Sequence, residues 1–215
     1  MTIDFDSLAR ASTGMHAAQG AGLFLLGAAE AYLHDNPGSR LSVVGPLALL
    51  AAAVAIPLVM LAVAAGWSPE QLKAVLDVRR GFYIFIALSC LFGSAGLSRL
   101  TQLSVGKAGG GWQAAFLVFL AAAGALYFLM AWRVNEEAWR QVLAWHAAMG
   151  ATLLLAAAAK AASLFSGRRS LHFAWCVLLM MTAVQLLSYR EAPGAFGMRM
   201  VTFQAAPEMP PPGKK

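Results

Sequence analysis

Apolar runs of membrane-spanning length alternate along the chain with short polar segments. Six runs stand out, at roughly 16–34, 41–66, 81–98, 112–132, 141–164 and 171–189. A helix rises about 1.5 Å per residue, so about 20 apolar residues cross the hydrocarbon core of a bilayer. The segments between carry turn chemistry: Asn36-Pro37-Gly38 in one, Gly109-Gly110-Gly111 in another. Trp67-Ser68-Pro69-Glu70-Gln71 reads as a helix start, with Ser68 as N-cap, Pro69 as first helical residue and Gln71 closing a capping box. The stretch from there to Arg80 is too polar for lipid and predicts an interfacial helix or an extension of the third run.

The pattern predicts an all-α polytopic membrane protein. A bundle of six transmembrane helices over residues 16–190 is expected, after an N-terminal segment 1–15 and before a Pro-rich, disordered tail 191–215. Composition agrees. Charged residues make up 12% of the chain, where a soluble domain carries about 25%. Asp4 and Asp6 stand against a single Arg10 in the first ten residues, so the start lacks the basic region of a signal peptide and the first run reads as a retained helix.

Charge then orients the bundle. With six spans both termini lie on one side. That side collects Arg10, Lys73, Arg79, Arg80, Arg133, Arg140, Arg190, Arg199, Lys214 and Lys215, against Arg40, Arg99, Lys107, Arg168 and Arg169 on the other. Ten basic residues against five predict cytoplasmic termini in a cell (inner) membrane. The net charge of +6 is a topology signal. With no soluble domain to carry a basic patch, nucleic-acid binding is not expected, and the expected surroundings are lipid.

The first run carries the main chemical lead. His16 and His34 lie 18 positions apart, about five whole turns, and so share a face. Gln19, Gly20, Gly27 and Glu30 lie on that face between them. A polar stripe on a membrane helix is expensive, so it is expected to face protein, water or a cofactor. The other histidines sort by depth: His146 with His16 near the cytoplasmic surface, His172 with His34 near the outer one. Two histidines on different helices at one depth can ligate a haem iron axially. The leading expectation is therefore a b-type haem electron-transfer protein, with His16/His146 holding one haem and His34/His172 another, an electron donor or acceptor as partner, and Gly20, Gly27 and Gly150 leaving room for the macrocycle.

Two other readings stand beside it. Gln19, Glu30 and His34 could line the path of a proton-coupled small-molecule transporter or channel. The chain could also be a non-catalytic subunit or assembly factor packing against other membrane subunits. Lys160 reads first as snorkelling to the headgroups and second as a buried partner of Glu30. Cys90 and Cys176 form no metal or disulfide pattern and read as buried small residues. No hydrolase, nucleotide-loop or nucleophile motif is present.

Overall fold

The computed structural model describes residues 4–106, 110–192 and 194–197. Among these there is no strand. Seven α-helices follow in order: α1 Phe5–Asp35, α2 Val44–Val59, α3 Pro69–Val78, α4 Tyr83–Val105, α5 Gly110–Tyr127, α6 Glu136–Ser166 and α7 Arg169–Ser188.

Six of the helices close into a ring. Each packs on its neighbours in the order α1, α2, α4, α5, α6, α7 and back to α1. The outside of the ring is apolar: Val54, Leu97, Val118, Leu155 and Val184 are each more than half exposed. The inside holds large aromatic rings, with Phe85, Phe92, Phe116, Tyr127 and Trp175 fully buried. A greasy exterior around an interior that contains charge inverts the soluble pattern and suits lipid. Five stretches are long and apolar enough to cross a membrane: Arg40–Ala64, Arg80–Val105, Gly110–Tyr127, Glu136–Ser166 and Arg169–Ser188. The first run is not among them, because its stripe lowers the mean hydropathy of α1.

Small residues set the spacing of the ring. A Cβ on Gly20 would sit 2.9 Å from the Ala183 carbonyl of α7, and one on Gly27 3.2 Å from that of Cys176. One on Gly150 would sit 2.6 Å from the Gly124 carbonyl of α5. These glycines let backbones touch. They do not open a slot for a macrocycle, which corrects the role expected of them.

The turns also have local causes. Pro57 inside α2 cannot donate to the helix ladder, and the helix loosens into a π-helical turn over Met60–Ala64. Gly66 (φ 53°) and Trp67 (φ 65°) then reverse the chain, and the Trp67 N–H closes on the Leu61 carbonyl at 2.9 Å. Ser68 caps α3, accepting from the Gln71 N–H at 3.2 Å. The backbone N–H of Glu70 and the Ser68 hydroxyl hold its exposed carboxyl below the usual range. We call the end of the ring that carries α3 and the 128–136 turn the inner end.

Two expected boundaries move. Helix α1 starts at Phe5, and Leu8, Ala11 and Ser12 inside the expected N-terminal segment are buried. The expected disordered tail does not begin at 191. Glu191 and Phe196 are buried in the inner end, and the Phe196 and Gly197 carbonyls accept from Arg79. The remainder of that tail, with Arg199, Lys214 and Lys215, and most of the expected glycine turn (107–109), lie outside the described residues.

Candidate functional site

Polar groups in the ring interior form two clusters. In the inner cluster, His16 of α1 reaches across the ring to His146 of α6, and their Nε2 atoms approach to 3.0 Å. Each Nδ1 lies 2.7 Å from a carbonyl one turn back on its own helix, Ser12 for His16 and Val142 for His146. Carbonyls only accept, so each Nδ1 carries its proton there. The Ser12 hydroxyl is also near His16 Nδ1, but it donates to the Glu191 carboxylate. Both Nε2 lone pairs therefore face each other across 3.0 Å. Two bare lone pairs repel at that distance, and a single proton shared between the two nitrogens would remove the repulsion.

Neighbours fix the rings. Phe85 and Tyr189 pack on His16 with ring centroids 5.4 and 4.7 Å away, and Tyr189 also meets His146 at 4.7 Å. Gln19, one turn from His16, donates to the Met15 carbonyl and accepts from the Tyr127 hydroxyl at 2.6 Å. Behind this layer Arg133 pairs with Glu191 and donates to Ser12 at 3.0 Å, all three buried. Tyr189 donates to the other Glu191 oxygen at 3.0 Å. A cavity of about 290 Å³ lined by Ala9, Arg10, Thr13, Arg190 and Glu191 opens to the inner surface.

In the outer cluster, Glu30 accepts from two cations. Lys160 Nζ of α6 lies 2.7 Å from one carboxylate oxygen, and Arg99 of α4 pairs with the other. Arg99 also donates to Gln113 of α5 at 2.8 Å and to Gln102. Lys160 donates to His172 Nδ1 at 3.2 Å, and His172 Nε2 donates to the Glu30 carbonyl at 3.1 Å. His34 is half-buried and stacks on His172, centroids 4.8 Å apart. This cluster borders a cavity of about 340 Å³ open to the outer surface.

Between the clusters lies an apolar layer, with Leu23, Phe92, Leu120, Leu153 and Leu179 all at 0% exposure. Gln19 and Glu30 are eleven residues apart on α1, so the layer is about 16 Å thick. The α6–α7 seam carries a short polar chain, in which Thr182 donates to Thr152 at 2.9 Å and Thr152 to Gln185 at 3.0 Å.

The stripe His16, Gln19, Gly20, Gly27 and Glu30 is thus buried as a unit, with His34 at its rim. Glu30 takes Lys160 and Arg99 as partners rather than His34 or Arg40. Lys160 is held inside instead of snorkelling, because a carboxylate waits on the facing helix. Cys176 is buried but Cys90 is exposed. Sequence reasoning missed Arg99, Arg133, Glu191 and Tyr127. Arg99 and Arg133 read as loop charges because they sit at the ends of apolar runs, and Glu191 falls just past one. Hydropathy cannot tell a charge folded inward from one facing water.

For a b-type haem the inner pair offers two Nε2 donors and the outer pair does not, but the tight packing around the inner rings leaves no slot for the macrocycle. Among the described residues no group of three or more His, Cys, Asp or Glu could hold a bare metal ion. Two axial nitrogens and nothing more is what haem iron asks of a protein. Ligation at about 2 Å per nitrogen needs the Nε2 atoms about 4 Å apart, so the inner rings must part by about 1 Å. At the outer pair both nitrogens of His172 are engaged in hydrogen bonds, which leaves no lone pair for iron.

In comparisons with family models, curated proteins and solved structures, nothing matched the chain. Fold and site alone define the class: a helical bundle with a membrane-compatible exterior and two buried polar clusters.

Proposed function

We propose that the chain is a six-span protein of the cell membrane, with cytoplasmic termini at the inner end, and that it couples proton movement to transport of a small molecule. The observation that carries this is the His16–His146 pair. Its Nε2 atoms converge to 3.0 Å inside the ring, where one shared proton would change the charge of an otherwise closed interior. Cavities lead from the inner surface to Glu191 and from the outer surface to Glu30, and the apolar layer lies between them as a gate. Five charged side chains buried in two clusters are a heavy cost for a helix bundle that only fills space. The place of α1 in the ring supports it as the sixth span. Its lipid-side residues Ala21, Phe24, Leu25, Ala28 and Tyr32 carry no charge.

The test is proton flux in proteoliposomes that contain a pH dye. Small anions, cations, amino acids and sugars are added outside in turn. At least one compound accelerates acidification of the lumen, and His16→Ala and His146→Ala each slow that response at least tenfold. A panel in which no compound moves protons refutes the reading and leaves the subunit or assembly-factor role.

The convergent Nε2 atoms also favour a second reading, an electron carrier with one b-type haem between His16 and His146. A reduced-minus-oxidised spectrum decides. Soret and α bands lost in both single histidine variants support haem, and a colourless protein from haem-replete cells removes it.

A further inference from the structure

We infer that the outer cavity is a binding site for a small organic carboxylate. The ionic count at the outer cluster does not close. Arg99 and Lys160 are two cations, both largely buried, with side chains 13% and 8% exposed. Glu30 gives them one carboxylate between them. One positive charge is left over, and charge buried without a counter-charge is costly in a low-dielectric setting. His172 does not supply the missing anion, because it accepts from Lys160 and donates to a backbone carbonyl.

Hydrogen-bond donors are in surplus as well. Arg99 Nε, Gln113 Nε2 and Trp175 Nε1 are buried N–H groups of this region with no acceptor. Lys160 sits over the Trp175 ring at 5.8 Å, which ties that indole to the same cluster. Of these residues Arg99 lines the cavity together with Lys160, and this spare charge asks for an anion; a planar guanidinium meets a carboxylate well.

The cavity sets the rest of the ligand. Its volume of about 340 Å³ admits a molecule of several carbons. Leu33, Pro37 and Leu103 add apolar surface to its lining, and Ser42 adds a hydroxyl. A bare halide or sulfate would leave that surface without a partner. An aliphatic monocarboxylate puts its head on Arg99 and Lys160 and its tail on the leucines.

As the substrate class of a transporter this inference rests on the proposed function; as a binding site it stands without it. The experiment therefore reads binding, with no flux. Protein in lipid nanodiscs is titrated with sodium butyrate by calorimetry, with chloride and sulfate at matched ionic strength as comparisons. Butyrate binds saturably at one site per chain, and more tightly than either inorganic anion. Lys160→Gln weakens it about tenfold or more, in keeping with loss of one charge-assisted bond. Leu103→Trp fills the cavity, leaves every charge in place and also abolishes binding. That variant guards against a folding defect in Lys160→Gln. Lys73→Gln, on the distant α3, binds as the native protein does. No saturable butyrate binding, equal binding of chloride or sulfate, or unchanged binding by Leu103→Trp each overturns the inference. Binding without proton flux upholds the site and counts only against the transport function.

Discussion

Removing either partner of the Glu30–Lys160 pair breaks the same 2.7 Å contact, yet the two losses should differ sharply. Glu30→Gln takes the outer cluster from a charge of +1 to +2 and leaves two cations facing one another. Both now sit on one carboxylate, so they are roughly 5 Å apart. At an effective dielectric of 20 that is about 3 kcal/mol of repulsion, with no attraction left to offset it. Lys160→Met takes the cluster to neutral, keeps Arg99 on Glu30 and replaces a long stem with one of similar volume. Breaking a buried pair so that charge is stranded costs about 3–5 kcal/mol, whereas an apolar replacement that leaves a balanced pair is close to neutral. Glu30→Gln is therefore expected to destabilise by about 3 kcal/mol or more, and Lys160→Met by less than about 1 kcal/mol. Adding Lys160→Met to Glu30→Gln should restore part of the loss, since only Arg99 is then uncompensated. Unfolding of the purified protein in mixed micelles of increasing SDS fraction measures all three. A Lys160→Met variant as unstable as Glu30→Gln, or a double variant worse than the sum, refutes this charge count.

The glycine contacts give a second expectation. Gly150→Leu pushes a side chain into the Gly124 carbonyl and should cost about 1–3 kcal/mol, whereas Gly38→Ala, with open space around it, should leave stability unchanged; melting of the two proteins in detergent compares them. Ser68→Ala removes the cap of α3 and should cost about 1 kcal/mol locally, read as faster amide exchange at Glu70 and Gln71. Topology is checked by reporter fusions: one at Asn135 should be active in the cytoplasm and one at Gly167 should not, and the opposite pattern refutes the charge-based orientation.

The helices were legible because runs of apolar residues and turn residues are local signals. Ser68 and Pro69 start α3 as their chemistry dictates, and the phase of His16, Gln19 and Glu30 put them on one buried face. The partners were not legible. Glu30 finds Arg99 and Lys160, 69 and 130 positions away, and no local pattern encodes which helix faces which. Depth alone did suggest His16 with His146 and His34 with His172, but it could not show that the first pair meets end to end and the second lies stacked. Gly20 and Gly27 were misread for a related reason: absence of a side chain marks close approach, and the sequence does not say whether a cofactor or a helix makes it.

Ring closure has a consequence for biogenesis. Four buried polar groups of α1 have partners much later in the chain: Glu30 at Arg99, Gln19 at Tyr127, His16 at His146 and Ser12 at Glu191. Of the ring helices α1 is thus the least self-sufficient, and α7, which packs against it to close the ring, comes latest among them. At about 5–20 residues per second, the 179 positions between Ser12 and Glu191 take about 10–35 s to synthesise. Through that interval the buried polar face of α1 lacks the partners it has in the folded ring.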